Sequence, residues 1–366
     1  MVLYYYPQWI FICTWRCLKL LLESLSKYPL RFGSVPRLFF VALLSMFALT
    51  ISYLHLSVVF VEQLIVGLFT SIKPYRTLFI VGPPRSGTTR MHKLMAADKN
   101  TFTAMKMWMI FFAPAISQKI LFKLFGKIDA LFGSPFYRLI RYTEKSLYKN
   151  FNKIHNLSIF NVEEDGLILF HLFSCYHLSF LWGKETSYDY LNHDKEVPKA
   201  VWAYYKICIN NHMFLNRDKI YLSKNPFFSA SVTSLLHLFH EPKFIHTNRD
   251  LNKVVPSFFS LKTFLSKVFY GKPPNKESYE SIYKSILFWN KAPTKETYKA
   301  ITIKADFTEL TSQPINLIQR VYRLLNLAVS PEYERSLKQE QQKAKDYKSE
   351  HKYSIKEFDL NSWLEP

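Results

Sequence analysis

The stretch Leu78–Ala96, LFIVGPPRSGTTRMHKLMA, decides the fold that this chain is expected to adopt. A short apolar run, Thr77–Val81, enters a Gly-Pro-Pro turn, and from Thr88 onward apolar residues recur at helical spacing. Strand, loop and helix in this order form the context in which a phosphate-binding loop is credible. The sequence therefore predicts an α/β fold, a P-loop-like three-layer sandwich with a central parallel sheet, preceded by N-terminal hydrophobic helices.

The loop shares only part of the nucleotide-binding pattern G-x-x-x-x-G-K-[ST]. Gly82 and Gly87 have the required spacing, but Thr88 stands where that pattern has Lys. In an NTPase this Lys reaches the β- and γ-phosphates, and a distal Asp helps to hold Mg²⁺. The nearest Asp at the end of an apolar run is Asp250, and Arg249 stands directly beside it. The loop therefore favours an anionic ligand without a γ-phosphate, and we expect no metal site.

Anion donors are available within the loop itself. Arg85 is its cation, and Thr88 and Thr89 add hydroxyl groups. The backbone N–H groups of Ser86, Gly87, Thr88 and Thr89 are expected to point into the loop at a helix N-terminus, where the helix dipole favours an anion. The alternative is a plain Gly-Pro turn between a strand and a helix, which requires no ligand.

A second set of anion donors is expected in Lys243–Leu261, KFIHTNRDLNKVVPSFFSL, where a short strand precedes a helix that begins near Leu251. Arg249 leaves the end of the strand, and Ser257 lies eight residues later, about two turns into the helix. An Arg fork and a Ser hydroxyl in these positions can converge on one phosphate. In the alternative interpretation these residues bind no phosphate. Arg249 pairs with the adjacent Asp250, and the hydroxyl of Ser257 bonds to its own helix backbone.

These motifs resemble a known family. PPRSGTT resembles the 5′-phosphosulfate loop of sulfotransferases that use 3′-phosphoadenosine 5′-phosphosulfate (PAPS), and FIVGPPRSGTTRMHKLMAAD is similar to a large, mostly uncharacterised branch of that superfamily. Three later stretches are similar to the same branch, in the same order: YLSKNPFFSASVTSLL, Ile301–Leu327 and the tail HKYSIKEFDL. The resemblance therefore covers the chain from about Thr77 to Leu360.

The resemblance implies roles for particular residues. Arg85 and Ser86–Thr89 would bind the phosphosulfate of PAPS, and Arg249 and Ser257 would bind its 3′-phosphate. Arg85 would also neutralise charge on the moving sulfuryl group. Lys224, which belongs to the family's Lys-x-Pro stretch, would be a second catalytic cation; its alternative is a surface Lys at a strand end.

The catalytic base is less well defined. Cytosolic members have a His shortly after the Lys, whereas this chain continues with Asn-Pro-Phe. The branch's acidic cluster is matched by NVEEDG, which makes Glu164 the candidate base, with His155 upstream of it. Asn161 and Glu164 are equally typical of a capping box, in which the carboxylate only closes a helix start. His92 has three interpretations: a base, a donor to the substrate, or a packed side chain.

The N-terminal part differs in character from the rest. Leu38–Val61 runs for 24 residues without a formal charge, which is long enough to cross a bilayer as a helix. Trp9–Leu25 is apolar but contains three charged residues, which predicts an interfacial helix. We expect residues 1–72 to be a membrane-associated segment, single-pass or monotopic, and residues 73–366 to be the sulfotransferase domain. A buried hairpin packed on the catalytic domain is the alternative.

The overall charge limits the partners. Lys and Arg outnumber Asp and Glu by 48 to 28, and the resulting charge of +20 indicates an anionic partner. Pro331–Lys352 mixes charges of both signs instead of forming a basic stripe, so we expect no nucleic-acid partner. The four Cys residues are few and scattered and include no C-x-x-C pair, so we expect neither a disulfide framework nor a zinc site.

The expected activity is transfer of a sulfuryl group from PAPS, without a metal, to a hydroxyl or less often an amine. The acceptor is expected to be a small molecule, a lipid or a glycan. Two alternatives stay open. A P-loop nucleotide kinase requires the Lys and metal ligands that are missing. A non-catalytic membrane protein on a sulfotransferase scaffold is supported by the missing His and by Met109, which follows Trp108 where the branch commonly has Glu.

Overall fold

The computed structural model describes residues 1–27, 35–69, 74–147, 158–182 and 197–346. The described residues form two compact units. The first unit draws on Met1–Lys73, Met105–Leu178 and Val197–Arg217, and the second on Pro74–Ala104, Ser179–Glu196 and Asp218–Pro366. The N-terminal helices fall in the same compact unit as residues 105–178 and 197–217. The functional division between residues 72 and 73 stays a prediction.

The elements are numbered here in chain order. The strands are β1 (Thr77–Val81), β2 (Phe102–Thr103), β3 (Ile220–Lys224), β4 (Lys243–Asn248) and β5 (Thr302–Asp306). The helices are α1 (Val2–Lys27), α2 (Val35–Phe69), α3 (Thr88–Ala97), α4 (Met107–Phe112), α5 (Ile116–Leu131), α6 (Pro135–Leu147), α7 (Leu178–Trp182), α8 (Lys199–Phe214), α9 (Val232–Leu238), α10 (Leu251–Tyr270), α11 (Lys276–Lys291), α12 (Phe307–Ser312), α13 (Pro314–Leu324) and α14 (Pro331–Asp346). Short 3₁₀ helices cover Asp165–Leu172, Pro226–Ser231, Ala292–Thr294 and Glu296–Ile301.

The second unit is built on a parallel sheet with the order β2-β3-β1-β4-β5. The central strand β1 is buried along its whole length, which is typical of parallel strands covered on both faces. After β1 the chain goes to one side of the sheet, and β4 and β5 lie on the other side. The carboxyl ends of β1 and β4 therefore meet at a topological switch point, where α/β sheets bind ligands. This confirms the predicted fold class.

The core of the second unit joins β1 to the helix that follows the loop. The predicted face of α3, formed by Met91, Leu94 and Met95, is buried, with exposed fractions of 0%, 5% and 0%. It packs in one cluster with Leu78 and Ile80 of β1 and with apolar residues of α13. Because α3 is fixed on the sheet in this way, the loop between β1 and α3 is held at both ends.

The first unit is largely helical, and α1 packs against α2 within it. The structure extends the predicted Trp9–Leu25 helix toward the N-terminus, since α1 begins at Val2. Trp9 is fully buried, and its indole N–H donates a hydrogen bond of 2.7 Å to the carbonyl of Ala200 in α8. One side of α1 is therefore bound to this unit's own helices, whereas Leu3, Phe11 and other apolar side chains on it are exposed.

Among the described residues, one helix is long and apolar enough to cross a membrane. It is Leu38–Ile65 within α2, with a mean hydropathy of 1.9, and 28% of its most apolar window is buried. The buried side follows helical spacing through Val41, Ala48, Leu56 and Val59, which leaves residues such as Phe39 exposed. The helix thus has one face bound to protein and an apolar face bound to none of the described residues.

Candidate active site

The loop between β1 and α3 has a backbone that only particular residues tolerate. Gly82 and Gly87 have φ angles of 130° and 101°, and Arg85 has a φ of 69°. The helix α3 begins at Thr88, as predicted, and Gly87 is its N-cap. The first N–H groups of α3 therefore face the loop without intrahelical partners, which makes them donors for an anion.

Side chains from neighbouring elements fix the loop to the sheet. The N–H of Gly82 donates to the hydroxyl of Ser229 at 2.7 Å, and that hydroxyl donates to the carbonyl of Pro226. The hydroxyl of Ser86 lies 2.6 Å from that of Thr247 in β4. These bonds hold the loop in one conformation before any ligand binds, and rigidity of this kind lowers the cost of binding.

Replacing Gly82 with Ala is expected to distort this loop. A Cβ at Gly82 would lie 2.3 Å from the carbonyl oxygen of Thr247 and 2.5 Å from its hydroxyl. The positive φ adds strain of about 1–3 kcal/mol. We expect the free energy of unfolding of the detergent-solubilised chain to fall by at least about 3 kcal/mol, because the clash adds to the strain.

Gly126→Ala is the matched control, since a Cβ at Gly126 meets nothing within 4 Å. It lies inside α5, so Ala should leave stability unchanged or raise it by up to about 1 kcal/mol. Equal stability of the two variants in denaturant unfolding would contradict the described loop geometry.

Arg85, Ser257 and Arg249 form one cluster, here called the anchor cluster. Arg85 Nε donates to Ser257 Oγ at 3.0 Å, and Arg249 Nη1 donates to the carbonyl of Arg85 at 3.1 Å. Arg249 also stacks on the ring of Phe307, 4.0 Å from its centroid. Among the described residues, none bonds the two terminal nitrogens of Arg85. The structure thus brings together the loop cation and the two residues predicted to bind a second phosphate.

Asp250 has a structural role beside the anchor cluster. Its carboxylate accepts the N–H of Asn252 at 2.9 Å and so caps α10, which begins at Leu251 as predicted. A carboxylate at this position satisfies an orphan N–H and complements the helix dipole. The interpretation in which Asp250 mainly pairs with Arg249 is therefore weaker than the sequence alone allowed.

Lys224 ends β3 at the same carboxyl edge of the sheet. It lies opposite Ile80 in the register and is 1% exposed, so it is not a surface Lys. The next residue, Asn225, donates its N–H to the carbonyl of Ile80 and accepts the N–H of Phe227 on its side chain. Lys224 thus lies at the carboxyl edge of the sheet that also holds the end of β1 and the start of the loop.

The electrostatics of this edge come from its cations. His246 lies in β4 opposite Val81 and is buried. Burial, and then the charge of Lys304, lower the pKa of His246 to about 4, so its imidazole is neutral at pH 7. His92 in α3 is likewise buried, 1% exposed, which agrees with a packed side chain. His246 therefore adds no positive charge to this edge at pH 7, whereas Arg85, Arg249 and Lys224 are its basic side chains among the described residues.

The acidic cluster belongs to the first unit. Glu164 is the N-cap residue of the 3₁₀ helix Asp165–Leu172, and its side chain makes no cap bond, so the capping box with Asn161 is wrong. Instead, its carboxylate lies 3.0 Å from Nε2 of His177. Burial lowers the pKa of His177, but bonds to Cys175 and Glu164 raise it more, to about 9. His155 lies outside the described residues.

Sequence reasoning missed several of these residues. Ser229 and Thr247 carry no motif of their own, because any hydroxyl at the right distance could fix the loop. Phe307 directly follows β5, and nothing in its local sequence marks it as a ligand-site residue. Its ring reaches Arg249 because β5 lies beside β4 in the sheet. His177 lies 13 residues after Glu164, beyond the reach of a helical pairing rule.

Comparison with known proteins identifies the family. Residues 77–331 match the model of the sulfotransferase family. The fold is similar to that of the sulfotransferase STF1 from Mycobacterium tuberculosis H37Rv, with a TM-score of 0.64, 18% identity, and coverage of 94% of this chain and 88% of that one. It is also similar to that of the sulfotransferase STF9 from Mycobacterium avium, with a TM-score of 0.60, 16% identity, and coverage of 77% and 71%.

None of the curated proteins compared with the sequence matches it. The family match covers most of the chain, includes the loop and the anchor cluster, and supports sulfuryl transfer as the general activity. This chain belongs to the sulfotransferase family.

Proposed function

We propose that this protein is a membrane-bound enzyme that transfers a sulfuryl group from PAPS to a hydroxyl, or less often to an amine. The observation that carries the proposal is the anchor cluster. A loop cation at a helix N-terminus and a second Arg–Ser pair are linked by two direct hydrogen bonds. Two linked anion sites suit a ligand with anionic groups at two positions, which PAPS has and a simple sulfate donor lacks.

The residues fit PAPS as follows. The N–H groups of Gly87, Thr88 and Thr89 and the guanidinium of Arg85 would hold the 5′-phosphosulfate, where the dipole of α3 adds to the attraction. The N–H of Ser86, which the sequence predicted as a further donor, instead donates to the carbonyl of Pro83 at 3.2 Å within the loop. Arg249 and Ser257 would hold the 3′-phosphate. The stack of Arg249 on Phe307 holds the planar guanidinium in one orientation, which favours paired hydrogen bonds to phosphate oxygens.

In the proposed reaction, a bond forms between the acceptor oxygen and sulfur, and the bond between sulfur and the phosphate oxygen breaks. The acceptor gives its proton to a base, and 3′-phosphoadenosine 5′-phosphate (PAP) leaves. Arg85 would neutralise the charge of the moving group, and Lys224 would stabilise the leaving oxygen. Glu164 and His155 stay predictions for the base, and the contact between Glu164 and His177 favours a pair in which His177 carries a proton.

The membrane location rests on α2. Its exposed apolar face and the length of Leu38–Ile65 support a bilayer-spanning or bilayer-embedded helix. A protein held at a membrane meets lipids and lipid-linked glycans at high local concentration. We therefore place a lipid or glycan acceptor ahead of a dissolved small molecule.

Release of PAP tests the proposal for any acceptor, because PAP leaves whichever acceptor takes the sulfuryl group. The full chain is reconstituted into proteoliposomes and supplied with PAPS together with membrane lipids, oligosaccharides or simple alcohols in turn, and PAP is quantified by chromatography. We expect PAP release that depends on one acceptor class and is lost in Arg85→Ala. Release no faster than without protein for every class, while PAP still binds, would identify a non-catalytic scaffold. Turnover of ATP with Mg²⁺ would identify a kinase.

A further inference from the structure

The helices α5 and α6 form an ordered hairpin within the first unit. The carboxylate of Asp129 accepts the N–H groups of Phe136 and Tyr137 at 2.9 and 3.0 Å, which caps the start of α6. The carbonyl of Asp129 accepts the N–H of Ser134 at 2.7 Å, and the rings of Phe125 and Phe136 lie 5.3 Å apart. The turn is therefore built by specific contacts, and the hairpin is a fixed element of the fold.

The hairpin exposes an unusual amount of apolar surface. Leu131, Phe132 and Tyr142 are 83%, 76% and 76% exposed. The other large apolar side chains exposed on the hairpin are Ile120, Leu121, Phe122, Leu124, Phe125, Ile128, Phe136, Tyr137 and Leu139. Exposed apolar side chains that follow one another along two adjoining helices indicate an interaction site, because apolar surface in water is unfavourable.

The exposed charges of the hairpin are all positive. Lys123, Lys127 and Lys145 are exposed and have no ion-pair partner among the described residues. The two acidic residues of the hairpin are buried and satisfied internally. Asp129 caps α6, and Glu144 accepts bonds from Arg141, Ser158 and the N–H of Ile159. Apolar side chains interleaved with lysines match the boundary between acyl chains and anionic headgroups.

The hairpin begins at one end of the candidate span. The carboxylate of Glu62 in α2 accepts the N–H groups of Ile116 and Ser117, the first residues of α5, at 2.7 and 2.6 Å. Gln118 also bonds His55 of α2 at 2.9 Å. Glu62 lies three residues before the end of Leu38–Ile65. A helix that starts there leaves α2 at the level where a span would emerge from the bilayer.

We propose that the α5–α6 hairpin is a second membrane-binding element, which lies in the interface of the leaflet at the C-terminal end of α2. Its Leu and Phe side chains enter the acyl boundary, and Lys123, Lys127 and Lys145 contact anionic lipid headgroups. The placement rests on the proposed membrane location of α2, whereas the lipid affinity rests on the hairpin's own residues. The occupant is a lipid surface and not a second copy of the chain, because three unpaired lysines on each hairpin would repel one another across a symmetric contact.

Fluorescence of a label at Leu131→Cys tests the proposal. The four native cysteines are buried, so the new thiol is the one that an environment-sensitive NBD maleimide reaches. The full chain is reconstituted at low protein density in vesicles of phosphatidylcholine and phosphatidylglycerol. We expect blue-shifted emission, at least about twofold quenching by phosphatidylcholine with a doxyl group near the headgroup, and protection from aqueous iodide.

Two matched labels separate this proposal from the membrane location of α2. Met46→Cys, on the exposed side of α2, reports whether that helix is in lipid, and Ser312→Cys, exposed in α12, is expected to report water. A lipid-quenched label at Met46 with an iodide-quenched label at Leu131 would overturn the hairpin proposal and leave the proposed enzyme intact. Blue-shifted emission at Leu131 that doxyl lipid does not quench would also overturn it, since that result indicates a protein partner.

The lysines have a test of their own. In Lys123→Gln/Lys127→Gln/Lys145→Gln, the apolar surface is unchanged while the charge of the hairpin falls. Arg138 and Arg141 are also exposed and remain in this variant. We therefore expect the doxyl quenching at Leu131→Cys to depend less steeply on the phosphatidylglycerol content of the vesicles than it does with the three lysines present. Quenching that depends on phosphatidylglycerol as strongly as before would contradict the role given to these lysines.

Discussion

Replacing Arg85 with Ala is expected to lower the rate constant for sulfuryl transfer by about 10³-fold, the upper range for loss of one transition-state donor. The guanidinium is the loop's cation, and its Nε bond to Ser257 fixes its direction. The carbonyl that Arg249 bonds belongs to the backbone of Arg85 and remains in the variant. The change therefore removes the side chain and keeps the main-chain contact of the anchor cluster.

Initial rates of PAP release measure this effect. Lys93→Ala is the matched control, because Lys93 lies on α3 next to the loop but is exposed. It should retain full activity. Arg85→Lys should recover part of the rate, since it restores charge but not the planar fork. A rate for Arg85→Ala within threefold of wild type would contradict the role of the loop cation in catalysis.

The second large effect is expected from Arg249→Ala. A hydrogen bond to a charged group contributes about 1.5–3 kcal/mol, which corresponds to about a 10- to 100-fold rise in the dissociation constant for PAP. The rate at saturating PAPS should change less than the KM for PAPS, because the 3′-phosphate does not react. Removal of the side chain also ends the stack on Phe307.

Lys253→Ala controls for the loss of a cation near the start of α10, where Lys253 is exposed. Its affinity for PAP should equal that of wild type. Two results would contradict the assignment of Arg249 to the 3′-phosphate. One is normal PAP affinity in Arg249→Ala. The other is an equal loss of PAP affinity in Lys253→Ala, which would indicate that any positive charge near the start of α10 has the same effect.

Local patterns were sufficient to predict the framework of the site. The strand Thr77–Val81, the helix start at Thr88 and the helix start near Leu251 follow from apolar spacing and turn residues, and the structure has each of them. The resemblance assigned Arg85 and Arg249 to two anionic groups of one ligand, and the structure brings the two residues into direct contact.

Contacts between distant segments could not be predicted in this way. The hydroxyls of Ser229 and Thr247 reach the loop because β3 and β4 flank β1, a sheet order that no local pattern encodes. Glu164 satisfied the rule for a capping box, but the backbone there forms a 3₁₀ helix and the carboxylate turns to His177. The rule therefore identified a helix start in this stretch but placed its N-cap three residues too early, at Asn161 instead of Glu164.

The α5–α6 hairpin shows a different limit. Apolar residues at helical spacing predict an amphipathic helix, but the spacing does not say what covers the apolar face. In most helices that face is buried in the core. Here the structure leaves Leu131 and Phe132 exposed, and exposure is a property of the whole unit that the segment's own sequence does not specify.

Calorimetric titration of the detergent-solubilised full chain with PAP, beside ATP with Mg²⁺, measures whether the anchor cluster binds the nucleotide of PAPS. We expect saturable binding of PAP that is much tighter than binding of ATP with Mg²⁺ and that weakens about 10- to 100-fold in Arg249→Ala. Preference for ATP with Mg²⁺, or PAP binding that Arg249→Ala leaves unchanged, would contradict the assignment of the anchor cluster to PAPS.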